Sequence, residues 1–192
     1  MSLSLITAPV AEPITLAEAK IHCNVDSDLT ADDALLTSII IAVRMAAEKE
    51  TKRSLMPQTW ELTQDAFTPV LLLRRPPVVS ITSIKYLDTA GALITLAGAD
   101  YTLDTSSDFK VARVVPAYGT VWPSTYQYIN AVRVRYLTGY LTAAAVPALA
   151  KSWMLLGIGT LYAQRESIIT GTIVAELPDD FFCGLLDSLR VY

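Results

Sequence analysis

The only histidine of the chain, His22, is followed directly by one of its two cysteines, Cys23. A Ser-His-Asp or Cys-His arrangement would need this histidine as its base. Adjacent helix residues project about 100° apart, so His22 and Cys23 cannot act together as base and nucleophile. Cys183 lies far along the chain, whereas zinc sites need closely spaced pairs of ligands. The pattern therefore predicts no catalytic group, no zinc and two free thiols in a reducing compartment.

Four aspartates resemble the start of a calcium-binding loop: Asp26, Asp28, Asp32 and Asp33. An EF-hand loop needs glycine at its sixth position and glutamate at its twelfth, and these positions are Ala31 and Thr37 here. We interpret the aspartates as first-turn carboxylates that stabilise a helix N-terminus. No metal and no cofactor is predicted.

Glycines and basic residues offer no better chemistry. Gly157 and Gly159 lie inside an apolar helical segment without the third glycine and preceding strand of a phosphate-binding loop, so they predict close helix packing. Arg74-Arg75 and the pair Arg133 and Arg135 are the only compact basic groups, and we interpret them as solvated or subunit-facing strand surface. The net charge of -4 argues against an electrostatic grip on nucleic acid.

The composition points to burial of more apolar surface than a small monomer needs. The hydrophobic fraction is 52% and the charged fraction only 18%. Either the core is unusually full or other subunits cover apolar surface. The longest apolar stretch, residues 153–163, is shorter than the roughly 20 residues that span a bilayer. No membrane span is predicted, and no signal peptide, because the N-terminus lacks a basic region.

Helical patterns occupy both ends of the chain. Thr15 and Glu18 match a capping box that begins a first helix ending near Asn24, and residues 32–51 predict a second helix. A third helix is predicted from Pro147 to about residue 165; it is apolar on nearly every side and therefore central. Residues 166–176 predict a loop and residues 179–189 a short last helix.

The middle of the chain follows a period of two. Residues 131–136 predict a strand with valines and Tyr136 on one face and arginines on the other, and residues 111–115 predict a second. Residues 79–86 change apolar phase, which indicates a bulge, and a turn at residues 88–91 pairs this strand with residues 92–96 in a hairpin. The fold class is therefore α+β: a small bundle of N- and C-terminal helices with an inserted antiparallel β-domain. The predicted domains are residues 1–57 plus 140–192, helical and discontinuous, and residues 58–139, the insertion.

One stripe of the second helix suggests a contact with another subunit. Ile41 is a large apolar residue on an otherwise polar side, as expected of an interface of mixed polarity, although a wide buried face remains the alternative. The candidate interface residues are Thr37, Ile41, Arg44 and Glu48 at helical spacing, with Arg190 and Tyr192 at the C-terminus.

An ordered series of segments resembles a known family. The segments include Pro13 to Lys20, Val25-Asp26, Asp32-Asp33, Glu48 to Arg53, Gln58 to Glu61, Arg75 to Val78, Ser83 to Tyr86, Trp122-Pro123, Asn130 to Val134, Thr138 to Tyr140, Pro147, Leu161-Tyr162, Arg165-Glu166, Leu185-Leu186 and Arg190-Val191. Together they resemble the head–tail connector, or adaptor, proteins of long-tailed bacteriophages in the version that carries a β insertion. One departure is Lys52, where relatives often have glycine.

This resemblance implies a structural role in the virion neck after assembly in the host bacterial cytoplasm. Such proteins form a ring of identical subunits, usually twelve, that docks on the portal protein, extends the DNA channel and presents a surface to the next head-completion or tail protein. DNA passes through the channel without specific binding, and the family has no catalytic motif. A closed ring of this kind joins two different patches of the subunit.

Two other functions remain open at this point. Another neck or tail-completion assembly protein would have a similar composition. A carbohydrate-binding or enzymatic module on the β insertion would need paired carboxylates in a cleft, whereas the acids there are scattered: Asp65, Asp88, Asp100, Asp104 and Asp108.

Overall fold

The computed structural model of the protein describes residues 1–106, 111–164 and 184–191. The chain divides into a β-unit, formed by Met1–Val10, Pro57–Tyr140 and the chain end from Val191, and a helical unit, formed by Ala11–Met56 and Leu141–Arg190. Residues 1–10 therefore lie in the β-unit, whereas the sequence analysis placed them with the helices. The predicted loop 166–176 and residues 179–183 of the predicted last helix lie outside the described residues, whereas residues 184–187 of that helix are described and helical.

The described part of the β-unit contains two antiparallel sheets, which fits the predicted α+β class. The five-stranded sheet has the order β1-β2-β8-β4-β5, with strands Ser2–Thr7, Gln58–Gln64, Val132–Thr138, Val78–Leu87 and Leu93–Thr95. The three-stranded sheet has the order β3-β7-β6, with strands Leu71–Leu73, Ala112–Pro116 and Tyr101–Asp104.

Strand β8 has the predicted alternation. Val132, Val134 and Tyr136 are buried, whereas Arg133 and Arg135 are exposed. The buried face belongs to a core that includes residues of both sheets: Leu62, Leu71, Leu73, Ile84, Val114, Val132, Val134 and Tyr136. Burial of the Tyr136 ring raises the pKa of its hydroxyl, which donates a 3.0 Å hydrogen bond to the Arg74 carbonyl. The hydroxyl is thus satisfied inside the core.

The predicted bulge and hairpin are confirmed in β4. Its register against β8 shifts between Val78 and Ser80 and again between Ile81 and Ser83. The turn to β5 is closed by the Asp88 amide, which donates to the Ala92 carbonyl at 2.9 Å. The register shifts explain the change of apolar phase, because each displaces the side chains that follow relative to the two faces.

Three helices form the described framework of the helical unit: α1 Leu16–His22, α2 Asp33–Thr51 and α3 Ala148–Ala163. The capping box at α1 is confirmed, since Glu18 N donates to Thr15 Oγ1 at 3.2 Å and Thr15 N donates to Glu18 Oε2 at 2.7 Å. Lys52 is the C-cap of α2, and its φ of 55° is a left-handed conformation that favours glycine.

Helix α3 packs on α2, although it is not covered on every side as predicted. Ala150, Trp153, Met154 and Ile158 are buried, whereas Leu149 and Leu161 are exposed. The predicted packing role of the glycines is supported by distance, because a Cβ at Gly157 would lie 3.2 Å from Val43 Cγ1. A helix apolar all round therefore leaves apolar side chains at the surface of the subunit.

Replacing Thr15 with alanine should cost about 1 kcal/mol of stability, because the side-chain cap of α1 is lost. The pKa of Glu18 is lowered mainly by the hydrogen bond from the Thr15 backbone N–H, so its contribution is present above about pH 4.3 and is lost as the pH falls through the lowered folded value. Urea unfolding of Thr15→Ala at pH 7, and of Glu18→Gln from pH 7 to 3, measures both effects. An unchanged unfolding midpoint for Thr15→Ala would contradict the prediction.

Candidate interface surfaces

Arg44 and Glu48, two of the predicted interface residues, are buried inside the helical unit. Arg44 Nε donates to Glu12 Oε2 at 2.7 Å, and its Nη1 donates to Glu48 Oε2 at 2.8 Å. The other oxygen of Glu48 accepts the Leu55 amide at 2.8 Å. The segment that precedes α1 and the turn after α2 are thus both bound to the C-terminal half of α2. The prediction that these charges face a neighbouring subunit is corrected: they tie three segments of one subunit together.

The exposed face of α2 is apolar and lies beside the predicted stripe. Thr37 and Ile41 are exposed as predicted, and the Thr37 hydroxyl donates to the Asp33 carbonyl at 2.7 Å. Ile41 is 38% exposed and Met45 is 59% exposed. We call the exposed residues Ile41, Ala42, Met45 and Ala46 the α2 face. Met45 follows Ile41 by one helical turn, and Ala46 follows Ala42 by one turn. Such a strip of unpaired apolar side chains is suited to contact with another protein.

The C-terminal candidates divide between a described residue and one outside the description. Arg190 pairs with Asp187 at 2.8 Å and with Glu50 at 3.4 Å. Both pairs are partly exposed and hold the chain end near the end of α2, where each contributes little stability. Tyr192 lies outside the described residues.

A buried lysine organises the aspartate-rich loop. Lys20 Nζ lies 3.2 Å from the Ser27 carbonyl, 2.9 Å from the Leu29 carbonyl and 2.6 Å from Asp33 Oδ1. These three oxygens surround the ammonium as they would a small cation. Asp33 lies in the first turn of α2 as predicted. The Asp32 side chain makes no cap hydrogen bond, and its Oδ2 accepts the Tyr162 hydroxyl at 2.7 Å.

A shallow apolar pocket opens beside this lysine. Its volume is about 370 Å³, and its lining is Leu16, Ala17, Lys20, Ile21, Val25 and Ser27. Ile21 is 79% exposed at its mouth. Because the Lys20 ammonium is bound by Asp33 and two carbonyls, the pocket presents no free charge. We call this cavity the α1 pocket.

The residues considered for chemistry have other surroundings. A Cβ at Gly159 would lie 3.2 Å from His22 Nε2, so the imidazole lies against α3. Burial raises the pKa of the Cys23 thiol, the opposite of what an activated nucleophile needs. In the part of the chain that the structure describes, no three His, Cys, Asp or Glu side chains are grouped to hold a metal ion.

A segment of the β-unit presents exposed aromatic and apolar side chains. We call residues 117–130, between β7 and β8, the aromatic loop. No charged residue occurs from Val114 to Val132. The side chains exposed on the aromatic loop include Tyr118, Val121, Tyr126, Tyr128 and Ile129. Their number in one uncharged loop distinguishes it from ordinary surface, where single apolar residues are scattered.

Contacts at several points fix the aromatic loop to the β-unit. The Trp122 ring stacks on Phe67 with centroids 4.8 Å apart and an interplanar angle of 7°. The Tyr126 amide donates to the Leu87 carbonyl at 3.0 Å, and the Asn130 amide donates to Asp65 Oδ1 at 2.9 Å. The exposed tyrosines thus project from an anchored backbone.

Three arginines of the β-unit have partners close by. Arg135 pairs with Glu61 on β2 at 2.8 Å, and the guanidinium carbon of Arg75 lies 5.1 Å from the centroid of a Trp60 ring. On the second sheet Arg113 pairs with Asp104, and hydrogen bonds from Ser106 and Arg113 lower the pKa of that carboxyl.

The sequence analysis did not predict the aromatic loop or the α1 pocket. The signal for the loop is present in the sequence, because four of the nine tyrosines and tryptophans between Trp60 and Tyr140 fall within 11 uncharged residues: Tyr118, Trp122, Tyr126 and Tyr128. The signal for the pocket is Ile21, an apolar residue on the outer side of a short amphipathic helix. In both cases the exposure of the side chains was not evident from the pattern alone.

Residues 13–77 match the family model described as "Phage gp6-like head-tail connector protein". The predicted resemblance to head–tail connectors is confirmed. The match covers α1, α2 and the first two strands of the insertion, β2 and β3, which is about one third of the chain. No curated protein matches the chain in sequence.

Solved structures match the fold over the full length of the chain. A chain of "Virion of native gene transfer agent (GTA) particle" has a TM-score of 0.80 at 24% identity, covering 100% of this chain and 96% of that one. A chain of "Neck of empty GTA particle computed with C6 symmetry" has a TM-score of 0.79 at 22% identity, with the same coverage. A chain of "Neck of native GTA particle computed with C12 symmetry" reaches 0.74 at 22%. The fold of this chain is thus already seen in chains of solved particle structures.

No helix among the described residues is both long and apolar enough to cross a membrane.

Proposed function

We propose that this protein is a structural subunit of a virion neck, a head–tail connector that forms a closed ring of identical copies. The connector-family match of residues 13–77 carries the proposal. It is supported by the full-length likeness to chains of particle necks, two of which are described with sixfold and twelvefold symmetry. A ring of twelve copies fits both symmetries, because twelvefold symmetry contains sixfold symmetry.

The exposed surfaces of the subunit support a role in assembly. The α2 face, the α1 pocket and the aromatic loop each expose apolar or aromatic side chains and no charged ones. Apolar surface of this extent is retained when another protein covers it. These surfaces differ in shape and lie on different elements, as a head-to-tail ring contact requires, because such a contact joins two unlike patches.

The partners of the ring are the portal protein on one side and the next head-completion or tail protein on the other. The packaged DNA passes through the ring. A net charge of -4 on each copy disfavours tight binding to the phosphate backbone, so the DNA slides without being held. The protein is not an enzyme in this proposal: its function is to position, and the lone histidine and the unactivated Cys23 thiol are consistent with that.

Ile41→Asp is expected to abolish assembly of the protein on portal-bearing heads. The substitution places a charge in the centre of the α2 face, where it would be buried without a partner in a subunit contact. The monomer should stay folded, because Ile41 is already partly in water and the opposite side of α2 supplies the core residues Leu36, Ile40 and Val43. Assembly is measured as copies retained on heads that lack their own connector, and folding by thermal melting.

Ile94→Asp is the matched control. Ile94 lies on β5 and has the same 38% exposure as Ile41, but it belongs to none of the three surfaces. It should assemble normally and melt at the wild-type temperature. If Ile41→Asp assembles as well as Ile94→Asp, the α2 face is ordinary solvent surface. Failure of the wild-type protein itself to bind portal-bearing heads would reject the proposed function.

A further inference from the structure

The aromatic loop contributes side chains that the isolated subunit does not use. Trp122 stacks on Phe67 within the subunit. The side chains that are at least half exposed are Tyr118, Val121, Tyr128 and Ile129. Tyrosine rings give large contact area with few rotatable bonds, which is why they are frequent in protein-binding loops. An exposed set of this kind indicates an interaction surface.

The anchoring of the aromatic loop favours binding without rearrangement. The Trp122 stack and the amide bonds of Tyr126 and Asn130 fix its backbone in the free subunit. A loop that is held before it binds loses less conformational freedom on association. The loop therefore presents its tyrosines in a preformed arrangement.

The lack of charge restricts the class of partner. Nucleic acid would require lysines or arginines beside the aromatic rings, and there are none from Val114 to Val132. A strongly charged protein surface would lose its hydration against this loop without gaining ion pairs. The loop instead fits an apolar, neutral protein surface with a concave shape.

The α1 pocket is such a surface, and every copy of the chain carries one. Its lining is apolar except for Lys20 and Ser27, and the Lys20 ammonium is neutralised by Asp33 at 2.6 Å. A cavity of about 370 Å³ offers room for aromatic side chains, and Ile21, one of its lining residues, is 79% exposed. Burial of a neutral loop in a neutral pocket leaves no charge unpaired.

We propose that the aromatic loop of one subunit docks on the α1 pocket of the next copy and that this is a ring contact. The inference rests on the proposed function, because a closed ring needs two unlike patches on each copy. The protruding loop and the concave pocket, on different units of the same chain, are two such patches. The partner is therefore a second copy of this chain.

Variants that place charge on either patch should prevent self-association. The loop variant is Tyr118→Asp with Tyr128→Asp, the pocket variant is Ile21→Asp, and Ile94→Asp is the control. All four positions are exposed in the subunit, so the melting temperatures should stay near wild type. Each patch variant should weaken self-association of the purified protein at least about thirtyfold, the size of effect that marks an interface hot spot. Sedimentation velocity measures it.

A mixing experiment separates this contact from any other. A loop variant retains an intact pocket, and a pocket variant retains an intact loop. An equimolar mixture should form a one-to-one pair through the single intact contact and should not grow further, whereas each variant alone stays monomeric. A mixture that stays monomeric overturns the proposal, because the intact loop of one variant would then fail to bind the intact pocket of the other.

The outcomes for the ring and for the function can be told apart. If the loop variant still self-associates and still assembles on portal-bearing heads, the loop contact is wrong and the connector function stands. If it self-associates normally but no longer binds heads, the aromatic loop contacts a different neck protein and the proposal is overturned. If wild-type protein never binds heads, the function fails, and the mixing experiment still decides the contact between copies.

Discussion

Arg44→Met is expected to destabilise the helical unit by about 3–5 kcal/mol, the range for breaking a buried ion pair by removing one partner. Arg44 is 7% exposed and holds the carboxylates of Glu12 and Glu48 at 2.7 and 2.8 Å. Without the guanidinium, the two carboxylates that it held together would repel each other. Glu48, itself 7% exposed, would keep the Leu55 amide but lose its cation. Urea unfolding followed by circular dichroism of the helical signal measures the loss.

Arg190→Met is the control for this substitution. Arg190 also pairs with two carboxylates, Glu50 and Asp187, but all three side chains are at least one third exposed. Exposed pairs contribute about 0–1 kcal/mol, so this variant should be near wild type. The double variant Arg44→Met with Glu48→Met removes the buried carboxylate as well and should be more stable than Arg44→Met alone. Equal losses for Arg44→Met and Arg190→Met would show that the Arg44 network adds nothing.

Lys20→Met is expected to cost about 2–3 kcal/mol, as hydrogen bonds to charged groups are worth about 1.5–3 kcal/mol and the freed acceptors are only partly hydrated. The side chain of Lys20 is 8% exposed, and its ammonium is shared by the Ser27 and Leu29 carbonyls and by Asp33. Methionine fills a similar volume without a donor. The loop between α1 and α2 would lose the group that holds its oxygens together.

The readout for Lys20→Met is local as well as global. The Leu29 amide donates to the Asp26 carbonyl at 3.1 Å and the Asp33 amide to the Thr30 carbonyl at 3.2 Å. Hydrogen exchange at these two amides should become faster than the global loss of stability alone explains. Lys49→Met, at an exposed position of α2, is the control and should leave both amides unchanged. Unchanged exchange in Lys20→Met would show that the loop holds its shape without the ammonium.

The two networks bear on assembly as well as on stability. Lys20 lines the α1 pocket and binds the loop between α1 and α2. Lys20→Met therefore also tests whether the shape of the pocket depends on these contacts. Arg44 lies on the same helix as the α2 face but points inward. In the proposed ring, networks that hold the pocket and the α2 face in place would lower the entropy lost when copies associate.

Signals between near neighbours in the chain were sufficient for much of the fold. The capping box of Thr15 and Glu18, the alternation of β8 and the turn at Asp88 each depend on residues within a few positions of one another. The connector resemblance belongs to the same level, because it rests on an ordered series of such segments. The α+β class followed from these patterns, and the resemblance implied the role in a virion neck that we propose. The sequence left two readings of the stripe open, and the structure exposes Thr37 and Ile41 but buries Arg44 and Glu48.

Contacts between distant residues could not be read from the pattern. Strand β1 was not predicted because its partner β2 lies some sixty residues later, pairing Ser2 with Thr63. Arg44 was assigned to an interface because its partner Glu12 lies 32 residues away, before α1. The exposure of the tyrosines in the aromatic loop depends on a distant contact as well, because Trp122 stacks on Phe67 and the tyrosines stay exposed. Local sterics and periodicity decide most of the helices and strands, so these elements and the family that they resemble could be predicted from the sequence. Which charges are buried and which apolar side chains stay exposed depends on what distant parts of the chain place against them, so these features required the folded structure.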